Sequence, residues 1–324
     1  MSKKYNGVIV PMVTPVTSDR KLDEESVVRI CDYLARNGVS ILVLGTTGES
    51  PSVSMDESRR LVKLASETVA GRVKIYAGIS GNCLEENISN AQAYIQAKAD
   101  VIVSILPYYY PLTSGQMFDY FKTLAERIDF PTMVYNIPAT TTMSIPVEVV
   151  NALSRIKPIC GFKDSERDEA RMEECVKLFR EREDFSYFLG YAALSSKALK
   201  LGADGLVPST ANFTPAMFRE LYDFSCAGNW EEAERLQEET DEIAQIYQSG
   251  RTLGTSLPAL KVMMSVLGLC QPYAIPPLTD TTAEEQEEII KETEIVIEKY
   301  QIPCRNHLSE FQWAIPQESA PRSL

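Results

Sequence analysis

Short apolar runs recur along the first two-thirds of the chain, at residues 8–13, 41–44, 73–79, 101–106, 132–137, 159–162, 185–189 and 205–207. Each has strand length. Most are apolar throughout rather than alternating, which is how strands buried on both faces of a parallel sheet read. Between them the spacing becomes helical. Residues 23–37 place Val27, Val28, Ile30 and Leu34 on one side with charges opposite. Ser54 with Glu57 three residues on has capping-box spacing and predicts the next helix start. Further helices are predicted near 84–98, 115–128, 146–156, 168–182, 193–201 and 215–226. Gly38, Gly71, Gly202 and Gly228 stand where helices should stop.

Strand alternating with helix implies parallel strands joined by right-handed crossovers. Eight such units before residue 226 predict an α/β fold, a closed (β/α)8 TIM barrel. A doubly wound open sheet is the alternative, but no G-x-G-x-x-G follows the first strand. After Gly228 the strands cease. Residues 229–249 and 282–300 read as charged amphipathic helices, the second with Asp280-Thr281-Thr282 as cap candidates. An apolar helix opens between them at Leu257-Pro258-Ala259-Leu260. The expected organisation is a catalytic barrel over 1–226, a three-helix extension over 227–300 and an irregular tail over 301–324. The extension would pack on the barrel or serve an oligomer interface.

Composition narrows the chemistry. With 44% hydrophobic and 24% charged residues the chain reads as a soluble globular protein. A net charge of −13 disfavours nucleic acid or an anionic membrane as partner. Pro11 and Pro15 interrupt the apolar run after Met1-Ser2-Lys3-Lys4, so a signal peptide is not expected. No run approaches the ~18 residues of a membrane span. The seven cysteines form no C-x-x-C pair and read as reduced thiols of a cytoplasmic protein. The single histidine, His307, lies near the end of the chain. Serine triads, Cys–His dyads and zinc-dependent aldol chemistry fall away with it, and no metal or cofactor is expected. Proton handling then falls to Lys, Tyr, Asp, Glu or Cys.

In a barrel of this kind the active groups come from the C-terminal ends of the strands. Strand two ends in Gly45-Thr46-Thr47-Gly48-Glu49. Two hydroxyls between two glycines suit a small anion-binding nest, or a tight turn that caps its own backbone. Strand four ends in Pro107-Tyr108-Tyr109-Tyr110-Pro111, which serves either chemistry or an interface. Strand five ends in Tyr135-Asn136-Ile137-Pro138. Strand six ends in Gly161-Phe162-Lys163-Asp164-Ser165. A desolvated lysine there is a neutral amine near pH 7; a lysine paired with Asp164 is the plainer alternative. Together these four ends offer anion donors, phenols and one amine on a single face. That set suits imine chemistry on a 2-oxo acid.

On these motifs, and on a later block from Gly202-Ala203-Asp204-Gly205 to Ser209-Thr210-Ala211-Asn212, the chain resembles the dihydrodipicolinate synthase / N-acetylneuraminate lyase family of class I aldolases. The match in order and spacing covers roughly residues 5–300. The resemblance implies a barrel with a helical extension and a homotetramer built from dimers. It implies Lys163 as the Schiff-base lysine and Tyr135 as the proton shuttle. Thr46 and Tyr109 would complete the relay, Tyr109 reaching in from a neighbouring subunit. Thr47 and Gly48 would bind the substrate carboxylate, and the Val207 carbonyl would face the lysine. Thr140, Gly190 and Ser209 would line the acceptor half.

The departures from the family concern that acceptor half. Dihydrodipicolinate synthases typically carry an arginine where Thr140 stands, and a threonine cannot supply its bidentate charge. Neuraminate lyases follow Gly190-Tyr191 with an acidic pair, where this chain has Ala192 and Ala193. The expected function is therefore a Schiff-base lyase releasing or using pyruvate, acting on a 2-keto-3-deoxy sugar acid or a 4-hydroxy-2-oxo acid. Dihydrodipicolinate synthase or N-acetylneuraminate lyase activity is the alternative within the class. A non-catalytic 2-oxo-acid-binding protein is the alternative outside it. Because His307 falls outside every motif, His307→Ala is expected to leave steady-state turnover unchanged, a pyruvate-coupled assay being the check.

Overall fold

The computed structural model describes residues 3–303; His307, Cys304, Trp313 and the rest of the expected tail beyond residue 303 lie outside them. Eight strands close into one barrel: β1 (Gly7–Pro11), β2 (Ser40–Val43), β3 (Ile75–Ile79), β4 (Val101–Ser104), β5 (Thr132–Asn136), β6 (Ile159–Asp164), β7 (Ser186–Leu189) and β8 (Gly205–Leu206). Each pairs in parallel with its sequence neighbour, and β1 closes on β8. The open-sheet alternative is thereby ruled out. All eight apolar runs become strands. The reason they are apolar throughout is visible in the packing. Val8, Val10, Ile41, Val43, Phe162 and Leu206 face the helices, while Ile9, Leu42, Tyr76, Met133, Phe188 and Val207 fill the barrel. Neither face of a strand meets water.

The outer helices are α1 (Glu24–Arg36), α2 (Met55–Val69), α3 (Leu84–Gln96), α4 (Ser114–Ile128), α5 (Pro138–Thr141), α6 (Val147–Leu153), α7 (Glu169–Phe179), α8 (Ser195–Leu201) and α9 (Pro215–Cys226). Ser54 caps α2 by accepting the Glu57 N–H, as its spacing predicts. The short α5 is not visible in the hydrophobic pattern, because four residues carry no periodicity.

Three further helices follow: α10 (Trp230–Gln248), α11 (Leu253–Val266) and α12 (Ala283–Tyr300). Thr282 caps α12 in a full capping box with Glu285. α10 lies against α8 and α9, and α11 lies against α10 and α12. Residues 256–264 of α11 are all buried, so this helix is apolar all round because it is enclosed all round.

One charged residue enters that enclosed helix. Lys261 is fully buried and forms an ion pair with Glu49 of the β2 loop, whose side chain is 1% exposed. Lys261 Nζ also donates to the Tyr273 carbonyl at 2.9 Å, and the Ile275 N–H donates to Glu49 Oε2 at 2.7 Å. Glu49 takes a left-handed φ of +54°. That conformation costs a non-glycine residue roughly 1–2 kcal/mol, so the pair holds a strained turn in place. Nearby, Arg20 makes a two-pronged contact with Asp280 at 2.8 and 2.7 Å. The segment after α11 is therefore clamped beside the loops of β1 and β2.

Removing one partner of a buried pair strands the other charge, which costs about 3–5 kcal/mol, whereas replacing both by apolar groups is often neutral. Lys261→Ala should therefore lower the urea unfolding midpoint strongly, and Lys261→Met combined with Glu49→Leu should recover most of the loss. Equal midpoints for wild type and Lys261→Ala would contradict the assignment.

Candidate active site

β5 and β6 place Tyr135 and Lys163 directly opposite each other in the parallel register. Alternation along each strand sends both side chains to the inside of the barrel, near its C-terminal mouth. Lys163 is 2% exposed, and its Nζ lies 3.6 Å from the centre of the Tyr135 ring. The lysine lies within the strand rather than just after the apolar run. Asp164, one residue on, points to the other face. There its Oδ2 accepts from Arg171 Nε at 2.7 Å and its Oδ1 from Asn136 Nδ2 at 2.8 Å. Pairing of Lys163 with Asp164 is excluded by this geometry. Among the described residues, no carboxylate forms an ion pair with Lys163.

The electrostatics follow from that burial. Desolvation draws the Lys163 amine below the ordinary lysine range, opposed by the neighbouring Tyr135 phenol. For Tyr135, burial works against ionisation. The Lys163 charge and hydrogen bonds from Thr46 and Ser165 outweigh it and bring the phenol below its ordinary value. The two groups share one environment, so a proton leaving the amine has the phenol as its immediate neighbour.

The β2 loop adds the third part. Thr46 Oγ1 lies 3.3 Å from the Tyr135 hydroxyl. Gly48 N–H turns back to the Gly45 carbonyl at 3.1 Å, and Glu49 N–H to the Thr46 carbonyl at 3.0 Å. The N–H groups of Thr46 and Thr47, and the Thr47 hydroxyl, have no partner among the described residues. The turn is tight and yet leaves donors free, as an anion nest does. Leu44 enters it with φ +57°. Its carbonyl would lie 2.0 Å from a Cβ on Gly78 of β3, so only glycine permits the turn to sit against that strand.

The other residues expected at the site stand at or after the C-terminal ends of strands of the same barrel. Val207 lies inside the barrel with Tyr135 and Phe188, its N–H bonded to the Leu189 carbonyl at 2.8 Å. Gly190 N–H donates to the Asp164 carbonyl at 2.7 Å, and a Cβ there would stand 2.1 Å from Ser165 Oγ. Glycine at 190 thus lets β7 close on the residue that contacts the Tyr135 phenol. Thr140 is exposed on α5, its hydroxyl bonded to the Ile137 carbonyl at 3.3 Å. The hydroxyl of Ser209 is 2.7 Å from that of Tyr247 on α10, so the extension holds it. Tyr109 does not join the relay within one chain. The residue is 73% exposed and its ring stacks edge-on against Tyr110, while its backbone N–H is held by Asn82 Oδ1 at 3.0 Å.

Sequence reasoning missed the group that braces this centre. Asn136 Nδ2 bridges Asp164 Oδ1 and Glu166 Oε2, and its Oδ1 accepts the Ile145 N–H at 3.0 Å. Arg171 joins both carboxylates and donates to the Ile145 carbonyl. The signal lay in the Asn136 and Asp164 of the strand-end motifs, whose partners are set only by the fold.

A buried amine on an inner strand, a phenol against it and free anion donors at the mouth of a (β/α)8 barrel define the class I, Schiff-base-forming aldolases. Within that class, the chain belongs to the dihydrodipicolinate synthetase family, which it matches over residues 4–295. It is 32% identical to a Thermofilum pendens protein described as an uncharacterised DapA-like lyase, over 89% of this chain and 96% of that one. It is 29% identical to the 4-hydroxy-tetrahydrodipicolinate synthase of Aquifex aeolicus, over 93% of this chain and all of the relative. Among solved structures, the dihydrodipicolinate synthase of Bacteroides thetaiotaomicron superposes with a TM-score of 0.85 at 30% identity, covering 91% of this chain and 100% of that one. The E. coli K12 prophage protein YagE, solved with pyruvate, gives 0.85 at 25% identity, covering 93% and 100%. The chain is accordingly an enzyme of the lyase class that works through a pyruvate Schiff base.

The lowered lysine has a measurable consequence. Only the neutral amine attacks a ketone, so the rate of borohydride trapping with pyruvate should rise with pH. Its half-maximum should fall below the ordinary lysine value of about 10.4. Tyr135→Phe removes the phenol that holds the lysine proton, and should move that midpoint further down while cutting turnover by roughly 10²–10⁴-fold. A midpoint at or above the ordinary value would contradict this electrostatic account.

Proposed function

We propose that the enzyme cleaves or forms a carbon–carbon bond next to a pyruvate unit, on a 2-keto-3-deoxy sugar acid or a related 4-hydroxy-2-oxo acid. The observation that carries this reading is the buried Lys163 amine against Tyr135, with no carboxylate paired to it. Lys163 Nζ attacks the C2 carbonyl, water leaves, and a protonated imine forms. Tyr135 takes the proton from the 4-hydroxyl, the C3–C4 bond breaks, and its electron pair moves into the imine to give an enamine and a free aldehyde. Protonation at C3 and hydrolysis of the imine then release pyruvate and restore the amine. The free N–H groups of Thr46 and Thr47, with Gly48 allowing the turn, receive the substrate carboxylate. The Val207 carbonyl faces the amine, and Thr140, Gly190 and Ser209 border the acceptor.

The relay from Tyr135 through Thr46 ends within one chain. We propose that Tyr109 of a second subunit completes it, in a homotetramer made of two dimers, acting in the cytoplasm. The exposed Tyr109–Tyr110 ring pair supports this reading, since aromatic side chains with one polar end suit interfaces. The barrel over 1–226 is the catalytic part, and 227–300 is the extension that braces it. The names of several relatives favour one second reading, 4-hydroxy-tetrahydrodipicolinate synthase, which would require another carboxylate grip than the one lost at Thr140.

The test is incubation with pyruvate and borohydride followed by mass spectrometry. The expected outcome is a reduced pyruvate adduct on Lys163 and none in Lys163→Ala; an unmodified Lys163 in folded protein overturns the mechanism. Screening 2-keto-3-deoxy and 4-hydroxy-2-oxo acids for pyruvate release then identifies the substrate. Product formation from pyruvate and aspartate semialdehyde would decide for the second reading.

A further inference from the structure

The acceptor half of the site offers little to grip a polyhydroxy tail. Ala192 and Ala193 carry no polar side-chain atom, and the Ser209 hydroxyl is already bonded to Tyr247. Its charge is as unusual. The eight strand-to-helix loops at the mouth contain three basic residues, Arg20, Lys21 and Arg167. Arg20 is consumed by Asp280, and Lys21 sits beside it on the hairpin that this contact fastens to the segment after α11. Arg167 differs. It is exposed, no carboxylate pairs with it among the described residues, and its guanidinium lies 5.3 Å from the centre of the Tyr191 ring.

The loops place this pair beside the reacting centre. Ser165 N–H donates to the carbonyl of Asn136, next to Tyr135, at 2.9 Å, and Gly190 packs against Ser165. Arg167 stands two residues after Ser165, and Tyr191 one residue after Gly190. The acidic neighbours of Arg167 are turned to other partners. Glu166 Oε2 accepts from Asn136 at 2.9 Å and Ser144 at 2.6 Å, and Asp168 caps α7 by accepting the Arg171 N–H at 3.0 Å. A ring under a guanidinium fixes its plane and leaves its edge donors available for a carboxylate.

We infer that Arg167, oriented by Tyr191, binds a carboxylate at the far end of the acceptor, so that the enzyme selects 4-hydroxy-2-oxo diacids over substrates ending in a neutral group. This rests on the Schiff-base reading and narrows its substrate class. It also explains how an anionic second substrate could be held without an arginine at 140, in a chain of net charge −13.

The experiment is competition against pyruvate in the borohydride trapping of Lys163, using 2-oxo diacids and 2-oxo monoacids of matched chain length. At the best length, the diacid should compete roughly 10–100-fold better than its monoacid in the wild type, the range of a charge-assisted hydrogen bond. Arg167→Ala should abolish that advantage with pyruvate trapping itself intact, and Arg167→Lys should keep part of it. Equal competition by both acids in the wild type at every length, or an advantage that survives in Arg167→Ala, overturns the assignment while leaving the Schiff base standing. Failure of pyruvate to trap Lys163 in wild type removes the Schiff-base reading and this inference with it.

Discussion

An amine buried at the inner wall of a closed barrel without a carboxylate is the constraint around which the rest of this molecule is arranged. Charge at Lys163 is costly in that environment, and the cost draws the amine below the ordinary lysine range. The condition holds only while Asp164, its immediate neighbour, is kept on the opposite face of β6. Strand alternation puts it there, and Arg171, Asn136 and the Glu166 N–H bind it there. The same network ties the ends of β5 and β6 to the loop before α6. The register that sets Tyr135 opposite Lys163 is thereby braced from outside the barrel.

The second arrangement concerns distance along the chain. The turn that offers free N–H groups belongs to β2, yet the glutamate that ends it is neutralised from α11. Its other oxygen accepts the N–H of Ile275, 226 residues away. Ser209 is likewise held by Tyr247 of α10. The extension is therefore part of the site's support rather than an appendage. Loops at a barrel mouth are free to vary because they are not part of the sheet. Here the helical segment supplies the rigidity that they lack.

The centre around Lys163 and the loops that follow β6 and β7 are built differently. The first uses neutral donors, a phenol and an amine, all enclosed or nearly so. The second carries small residues at Ala192 and Ala193 and an exposed guanidinium over a tyrosine. An enclosed centre beside exposed loops is how one fold carries sites of different specificity.

Much of this was legible in the chain alone. Eight continuous apolar runs betrayed strands buried on two faces, because sequence periodicity reports burial directly. The helix caps at Ser54 and Thr282 were readable because a cap is a contact across three residues. Lys163, Tyr135, Thr46 and Thr47 could be singled out because a barrel presents its strand ends at one mouth, so position in the chain implies position in space. What only the tertiary structure decided is every partnership across long separations. That Asp164 turns away from Lys163, that Lys261 meets Glu49, that Tyr247 holds Ser209, and that Tyr109 stands outside the relay of its own chain follow from packing. Local pattern records which residues are buried. It does not record which buried residue meets which, because that depends on how distant segments close on one another.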